Sequence, residues 1–431
     1  MEPLPQEIID LIIDSISSHN ELDNSPTNPT LFTCTRVSRS FWMTARKHIF
    51  SKLIFCPTST LQNTKDKLTN LAELLEQDKN LLSAISFVEI NTSLHTTPQW
   101  AYQCDEFLDR ILILIINRPR KLNQLSLFCF SNPILETTFG KRTQENIKHL
   151  VTGLEALSLA YLEISATFFE KLPPLKHLHL MQVTLASPAD SAHFPLPKFQ
   201  PNATMKIDYG SLEHVHDLYQ GSQLFPGYTN LKVINTFSHG STSQLREMLD
   251  GGVNTMTSLE LNTNMSLPPK GYHIDLGHFK KLTYFLVSIL CLSHSWTITE
   301  IIDSISLHFD GAVGLFDPSS SPSHLVDLEI SLACYIEMQL TDVNLEEKID
   351  STVSTLKEGL SGLASCKLLA QHPQLKSVKL KITLPTPSNS DVEKQAINNY
   401  KNFFERCIKD AVAAGDGPLK YVVQIICAEP T

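Results

Sequence analysis

A chain of 431 residues exceeds one compact core of ordinary size, so two or more units, or a repeat array, are expected. Its 42% apolar and 19% charged residues describe a packed protein rather than a disordered one. A net charge of −10 argues against a general nucleic-acid binder, which would carry a basic stripe. The nine cysteines are scattered with no Cys-x-x-Cys pair, as expected of reduced thiols in the cytoplasm or nucleus, and no clustered zinc ligands are visible. The most apolar later runs, Ile111 to Ile116 and Phe285 to Leu292, are too short to span a bilayer, so no membrane partner is expected. The apolar run from Ile8 is interrupted by Asp10 and Asp14 and lacks a basic leader, unlike a secretory signal.

The opening residues read as an amphipathic helix. Pro5 suits the first turn, where its missing N–H has no partner to lose, and Glu7 suits the positive end of the helix dipole. Ile8, Leu11, Ile12 and Ile16 recur on one face, and Ile9 and Ile13 widen the stripe beyond what one small core needs. After a spacer, Asn28-Pro29 is a good start for a second helix. From there Leu31, Cys34 and Val37 lead to Phe41, Trp42, Ala45, Ile49 and Phe50. Three short helices cannot hide this many large apolar groups from water, and a leftover apolar patch marks a partner surface.

The pattern Leu-Pro-x-Glu-Ile-Ile-x-x-Ile-Ile from Leu4, followed by Leu31-x-x-Cys34-x-x-Val37-Ser38-Arg39-Ser40-Phe41-Trp42 and an Ala-Arg-Lys-His-Ile-Phe ending, resembles F-box domains common in fungal proteins. In that family three helices bind the Skp adaptor, which links them to a cullin-RING ubiquitin ligase. Carried over by position, the resemblance implies that Leu4, Pro5, Ile8, Ile9, Ile12, Leu31, Val37, Phe41 and Trp42 form or buttress the adaptor surface. The spacer from His19 to Asn28 is longer than the usual link and is expected to loop out, since lengthening a loop costs only ~0.6 kcal/mol per doubling. The competing reading is an ordinary N-terminal helical hairpin.

Beyond Phe50 the chain predicts a strand at 51–55, a helix over 64–77, a strand at 85–90 and an apolar helix from Asp105 to Asn117 ended by Arg118-Pro119. A recurring Leu-x-x-Leu-x-Leu unit then starts at Leu122, Leu154, Leu175, Leu231, Met256, Leu325 and Leu375, and Leu419 begins a last, shorter version. This is similar to leucine-rich repeats, with Asn264 where that family places its ladder asparagine. Such units stack short strands into a parallel sheet on one side and return the chain on the other. Wider spacing late in the chain predicts longer helices at Thr299 to Phe309, Asn344 to Leu369 and Asp391 to Ala414, and loops are expected at 186–201 and 317–323.

No Gly-rich phosphate loop, Gly-x-Ser-x-Gly elbow or His-Glu-x-x-His helix occurs, so neither catalysis nor a cofactor is expected. His177 and His179 flank Leu178 and project from one strand face; a metal pair would need a third ligand that the sequence does not place, so a solvated face is the ordinary reading. Side chains between the leucines should line the open face of the sheet: Gln124, Ser126, Phe128, Ser158, His177, His179 and Met181, then Ser258, Glu260, Asn262, Asp327, Glu329, Ser377, Lys379 and Lys381. Among these His177, His179, Glu260, Asn262, Asp327, Glu329 and Lys379 are the candidate target-binding residues.

The expected architecture is α/β, with a three-helix F-box at 1–55 and an irregular leucine-rich-repeat domain at 56–431 whose parallel sheet lies on the concave side. The resemblance implies a substrate receptor of an SCF-type ubiquitin ligase, with a Skp-family adaptor, a cullin reached through it and an unknown target protein as partners. Two rivals remain: a repeat scaffold that does not promote ubiquitination, and a free-standing repeat protein whose helical start only caps the array.

Overall fold

A computed structural model describes residues 5–19, 29–58, 60–92, 100–129, 135–186, 198–208, 210–212, 227–234, 243–264, 273–293, 323–336, 373–384, 402 and 420–427. The fold is mixed α/β, and the chain divides at Phe199–Gln200 into two compact units, each built on parallel strands taken in sequence order.

The first unit opens with α1 (Gln6–His19), α2 (Pro29–Cys34) and α3 (Arg39–Ile49). Pro5 sits just ahead of α1, its carbonyl accepting from the N–H groups of Ile8 and Ile9. Ser38 caps α3, its hydroxyl accepting from the Phe41 N–H at 3.3 Å. Ile9, Ile13, Leu31, Cys34 and Ala45 form the small core, with Ile16, Phe41 and Ile49 packed against it. A polar clasp closes α1 onto α3: Gln6 Nε2 and Thr44 Oγ1 donate to Asp10 Oδ1 at 2.7 and 2.8 Å. Those two hydrogen bonds, Gln6 first, hold the Asp10 carboxyl below its ordinary range.

There follow β1 (Lys52–Phe55), α4 (Leu61–Gln77), α5 (Lys79–Ala84), β2 (Phe87–Asn91), α6 (Trp100–Gln103), α7 (Asp105–Ile116), β3 (Gln124–Phe128), α8 (Leu135–Thr138), α9 (Lys141–Leu150), β4 (Ala156–Ser165) and β5 (Leu175–Ala186). The amphipathic helices bury one stripe each, Leu68, Ala72 and Leu75 on α4 and Leu108, Ile111, Leu112 and Ile115 on α7. Arg118, just past α7, is buried, and its Nη1 donates to the carbonyls of Leu82 and Ile85 at the end of α5. Burial pushes its guanidinium down to about 10. The second unit holds β6 (Phe199–Asp208), β7 (Asn230–Ile234), α10 (Ser243–Gly251), β8 (Ser258–Asn264), β9 (Tyr284–Ser293), β10 (Asp327–Ile336), β11 (Ser377–Leu384) and β12 (Lys420–Cys427).

The leucine pattern sets the register. Leu53, Val88, Leu125, Leu157 and Leu178 stack across β1 to β5, and Phe55, Ile90, Leu127, Leu159 and Leu180 form a second inward row. In the second unit Leu231, Leu259, Phe285, Leu328 and Val378 do the same. All fifteen side chains are buried. Each contributes about 1.5–3 kcal/mol if fully withdrawn from water.

A second device operates at the strand entrances. The carbonyl of Ser51 accepts from the N–H groups of Ser86 and Phe87; Ser86 serves Asn123 and Gln124, Asn123 serves Glu155 and Ala156, and Glu155 serves Lys176 and His177. The second unit repeats it through Thr229, Thr257, Thr283 and Val326, each carbonyl receiving two N–H groups of the next entrance. Its threonines add hydroxyl bonds: Thr229 Oγ1 donates to the Ala203 carbonyl at 3.1 Å, Thr257 Oγ1 to Thr229 at 3.3 Å and Thr283 Oγ1 to Thr257 at 3.2 Å.

β4 and β5 carry a matched irregularity. Tyr161 (φ 54°) and Gln182 (φ 53°) adopt left-handed backbone at the same height, between the Ala160–Met181 and Leu162–Val183 pairs. Leu157 and Leu159 point inward before this step, and Leu162 and Ile164 after it, so the alternation changes phase. The Tyr161 ring meets Phe128 edge-on at 5.4 Å.

Several expectations are corrected. β6 begins at Phe199, inside the stretch expected to be a loop at 186–201, because Ala203, Met205 and Ile207 alternate inward. β9 was not expected as a strand; Phe285, Val287 and Ile289 are its buried side. α5 was also not foreseen, and Ser126, expected on the open face, is buried. Residues 187–197 and 317–322, and the helices expected at 299–309, 344–369 and, save residue 402, 391–414, lie outside the described residues. Replacing Leu159 with Ala should cost about 2–5 kcal/mol in denaturant unfolding, whereas Thr257→Val, which removes the hydroxyl shared between the Thr229 carbonyl and Asn230 Oδ1 and spares the backbone pair, should cost about 1 kcal/mol.

Candidate functional site

Two surfaces carry the side chains singled out from the sequence. The first is the outside of the three helices. On α1 the inward strip is Ile9, Ile13 and Ile16, which turns the neighbouring strip of Ile8, Leu11 and Ile12 to solvent. Val37, in the turn between α2 and α3, is 62% exposed, and Leu11 is 65% exposed. Phe32 on α2 and Trp42 and Met43 on α3 are exposed as well. Among the described residues these helices and their turn bear seven of the ten exposed large apolar side chains, Ile8, Leu11, Ile12, Phe32, Val37, Trp42 and Met43. Exposed apolar side chains gathered in this way are a general feature of interaction surfaces.

The sequence-derived adaptor residues therefore separate into two layers. Ile8, Ile12, Val37 and Trp42 lie on the surface, with Pro5 exposed at the start of α1. Ile9 and Leu31 are buried and Phe41 is half-buried, so these support the face from beneath. Leu4 lies outside the described residues. Leu11, Phe32 and Met43 were not among the expected site residues, although Leu11 follows Ile8 at helical spacing.

The second surface is the side of the strands opposite the leucines. In the first unit His177 is exposed and His179 half-buried, and the Ser158 hydroxyl lies 3.2 Å from His179 Nδ1 on the neighbouring strand. Among the described residues no group of three or more His, Cys, Asp and Glu side chains comes together as a metal would require.

In the second unit the register brings Lys206, Lys232, Glu260, Leu286, Glu329 and Lys379 into one row from β6 to β11. Lys232 Nζ lies 2.8 Å from Glu260 Oε2, and Lys379 Nζ lies 3.3 Å from Glu329 Oε1. Tyr284 donates to Glu329 Oε2 at 3.2 Å, and Ser377 donates to Asp327. Burial and then the Glu329 charge raise the Tyr284 phenol, while burial and the neighbouring Lys232 lower Lys206. Asn262 stands one row further along β8. The candidate residues Glu260, Asp327, Glu329 and Lys379 are thus brought together, already engaged with one another or with strand neighbours. The arrangement places the carboxylates of Glu260 and Glu329 on either side of Leu286, with the ammonium groups of Lys232 and Lys379 beyond them.

No model of a known protein family matches the chain, and no curated protein was found to be similar to it. Among the described residues no helix is long and apolar enough to cross a membrane.

The layering has direct consequences for stability. Leu11→Asp and Val37→Asp should shift unfolding by no more than about 0.5 kcal/mol, since both side chains already face water. Ile13→Asp, at a fully buried position, should unfold the helices, which circular dichroism and limited proteolysis would detect. The Asp10 carboxyl is held lower in the folded chain than its ordinary 3.8, so its contribution is present above that value and is lost as the pH falls through the folded-state value. The stability lost between about pH 6 and about pH 3 should therefore be smaller in Asp10→Asn than in the wild type, measured by denaturant titration at both pH values.

Proposed function

We propose that this protein is the substrate-recognition subunit of an SCF-type (Skp–cullin–F-box) ubiquitin ligase. In this reading α1, α2 and α3 are an F-box docking to a Skp-family adaptor, and the strands beyond them are an irregular leucine-rich-repeat domain that holds a target protein. The observation that carries it is the set of exposed apolar side chains on the three helices, Ile8, Leu11, Ile12, Phe32, Val37, Trp42 and Met43. A helical cap that merely closed a repeat array would present a polar outer face; the apolar side chains here favour docking to a partner.

The contribution to ubiquitin transfer is one of proximity. A target held on the repeat strands would keep its lysines near the ubiquitin-loaded enzyme brought by the cullin, at high effective concentration. The chain itself supplies no bond-making group in this reading, and its place of action is the cytoplasm or nucleus. The open face around Glu260, Leu286, Glu329 and Lys379 is the part of the second unit that supports target binding, because its polar groups converge on one row.

The test is a binding titration between the full chain and a purified Skp adaptor, beside a Leu11→Asp, Val37→Asp, Trp42→Ala variant with unchanged circular dichroism. Binding by the wild type and a loss of at least about 100-fold in the variant is the expected result, as about 3 kcal/mol of apolar contact is removed. A well-folded wild type that does not bind the adaptor would overturn the reading. Unaltered half-lives of every captured target on removal of the protein would leave a scaffold in place of a ligase receptor.

A further inference from the structure

We infer that Arg46 is a positioning residue: it fixes the exposed Trp42 ring for docking and is itself held by Asp78, the residue joining the first two helices beyond β1. The inference rests on the adaptor reading above. Trp42, Arg46 and Phe50 follow one another at four-residue spacing, so they lie along one side of α3 and its C-cap. The Arg46 guanidinium carbon lies 4.3 Å from the centroid of the Trp42 ring and 5.9 Å from that of Phe50. Its Nη1 lies 3.2 Å from Asp78 Oδ2. The cation is thus laid on the indole and tied from behind.

The anchor is itself fixed. Asp78 ends α4, its N–H donating to the Leu74 carbonyl at 3.0 Å, and begins α5, its Oδ1 accepting from the N–H groups of Asn80 and Leu81 at 3.0 and 3.2 Å. One carboxylate oxygen starts a helix while the other holds Arg46. Trp42 nevertheless remains 38% exposed. An exposed indole that is free to turn loses rotamer freedom on docking, whereas one already stacked does not, so the stack favours binding by preorganisation. A planar guanidinium is needed for this, because an ammonium cannot lie flat on the ring and bridge to a carboxylate in the same way. The adaptor face is thereby made sensitive to the α4–α5 junction, to which it is not adjacent in sequence.

The experiment uses the full chain. The indole N–H resonance of Trp42 is assigned by its loss in Trp42→Phe and followed without adaptor; adaptor affinity is then measured by titration. Asp78→Asn keeps the Oδ1 acceptor and so the start of α5, while removing the charge facing Arg46. Expected are an unchanged melting temperature, a shifted and broadened Trp42 resonance, and adaptor binding weaker by about threefold for Asp78→Asn and about tenfold for Arg46→Ala, with Arg46→Lys between them. In a Trp42→Ala background, Arg46→Ala should add no further loss, since it acts through that ring. A Trp42 resonance indifferent to both changes, or losses that simply add in the double variant, would overturn the inference. A wild type that fails to bind adaptor while the resonance responds as stated would remove the adaptor reading and leave the positioning of the ring standing.

Discussion

Within each unit, successive strands β2 to β5 and β8 to β11 are tied to the one before through a single carbonyl at the strand entrance. Parallel neighbours cannot be joined by a tight hairpin; the chain must leave, cross over and return at the correct height. The Ser51, Ser86, Asn123 and Glu155 carbonyls, and Thr229, Thr257, Thr283 and Val326 in the second unit, each accept two N–H groups of the incoming chain and so define that height. Once the entrance is fixed, the stacked rows such as Leu125, Leu157 and Leu178 fall into register and bury together. Hydrophobic burial supplies the stabilisation and selects the pairing, and the entrance bonds hold each strand at the height that pairing requires.

The sequence made the strands visible where leucines alternate and hid them where they do not. β4, β5, β8, β10 and β11 all coincide with Leu-x-x-Leu-x-Leu units or a close variant. β9 was obscured because Phe285 to Leu292 is almost continuously apolar, a pattern without period. β6 was obscured by Pro201 and by Asn202, which takes a left-handed backbone (φ 62°) inside the strand. The hydroxyl ladder of Thr229, Thr257 and Thr283 was legible in principle, since each precedes its first strand leucine or phenylalanine by two positions, yet threonine there is unremarkable until the bonds are seen.

The same limit applies to the helical face. Periodicity showed that α1 is apolar over a broad stripe, but a stripe has width, and only packing against Leu31, Cys34 and Ala45 divides Ile9 and Ile13 from Ile8, Leu11 and Ile12. On the strands, side-chain alternation correctly turned Glu260, Glu329 and Lys379 to one face; the register then revealed that they pair among themselves and with Lys232. A partner on this face must compete for groups already satisfied, which favours selectivity over raw affinity.

The matched left-handed residues of β4 and β5 bear on how such a chain can vary. Tyr161 and Gln182 lie side by side, and beyond them both strands continue in the opposite phase, with Leu162 beside Val183 and Ile164 beside Leu185. Removing one residue from β4 alone would turn Leu162 and Ile164 outward while Val183 stayed inward, breaking a shared core row. Insertions and deletions within these two strands can therefore be inherited only as a pair, one in each, at the same height. Lineages carrying this fold should show β4 and β5 changing length together, although nine residues separate them along the chain.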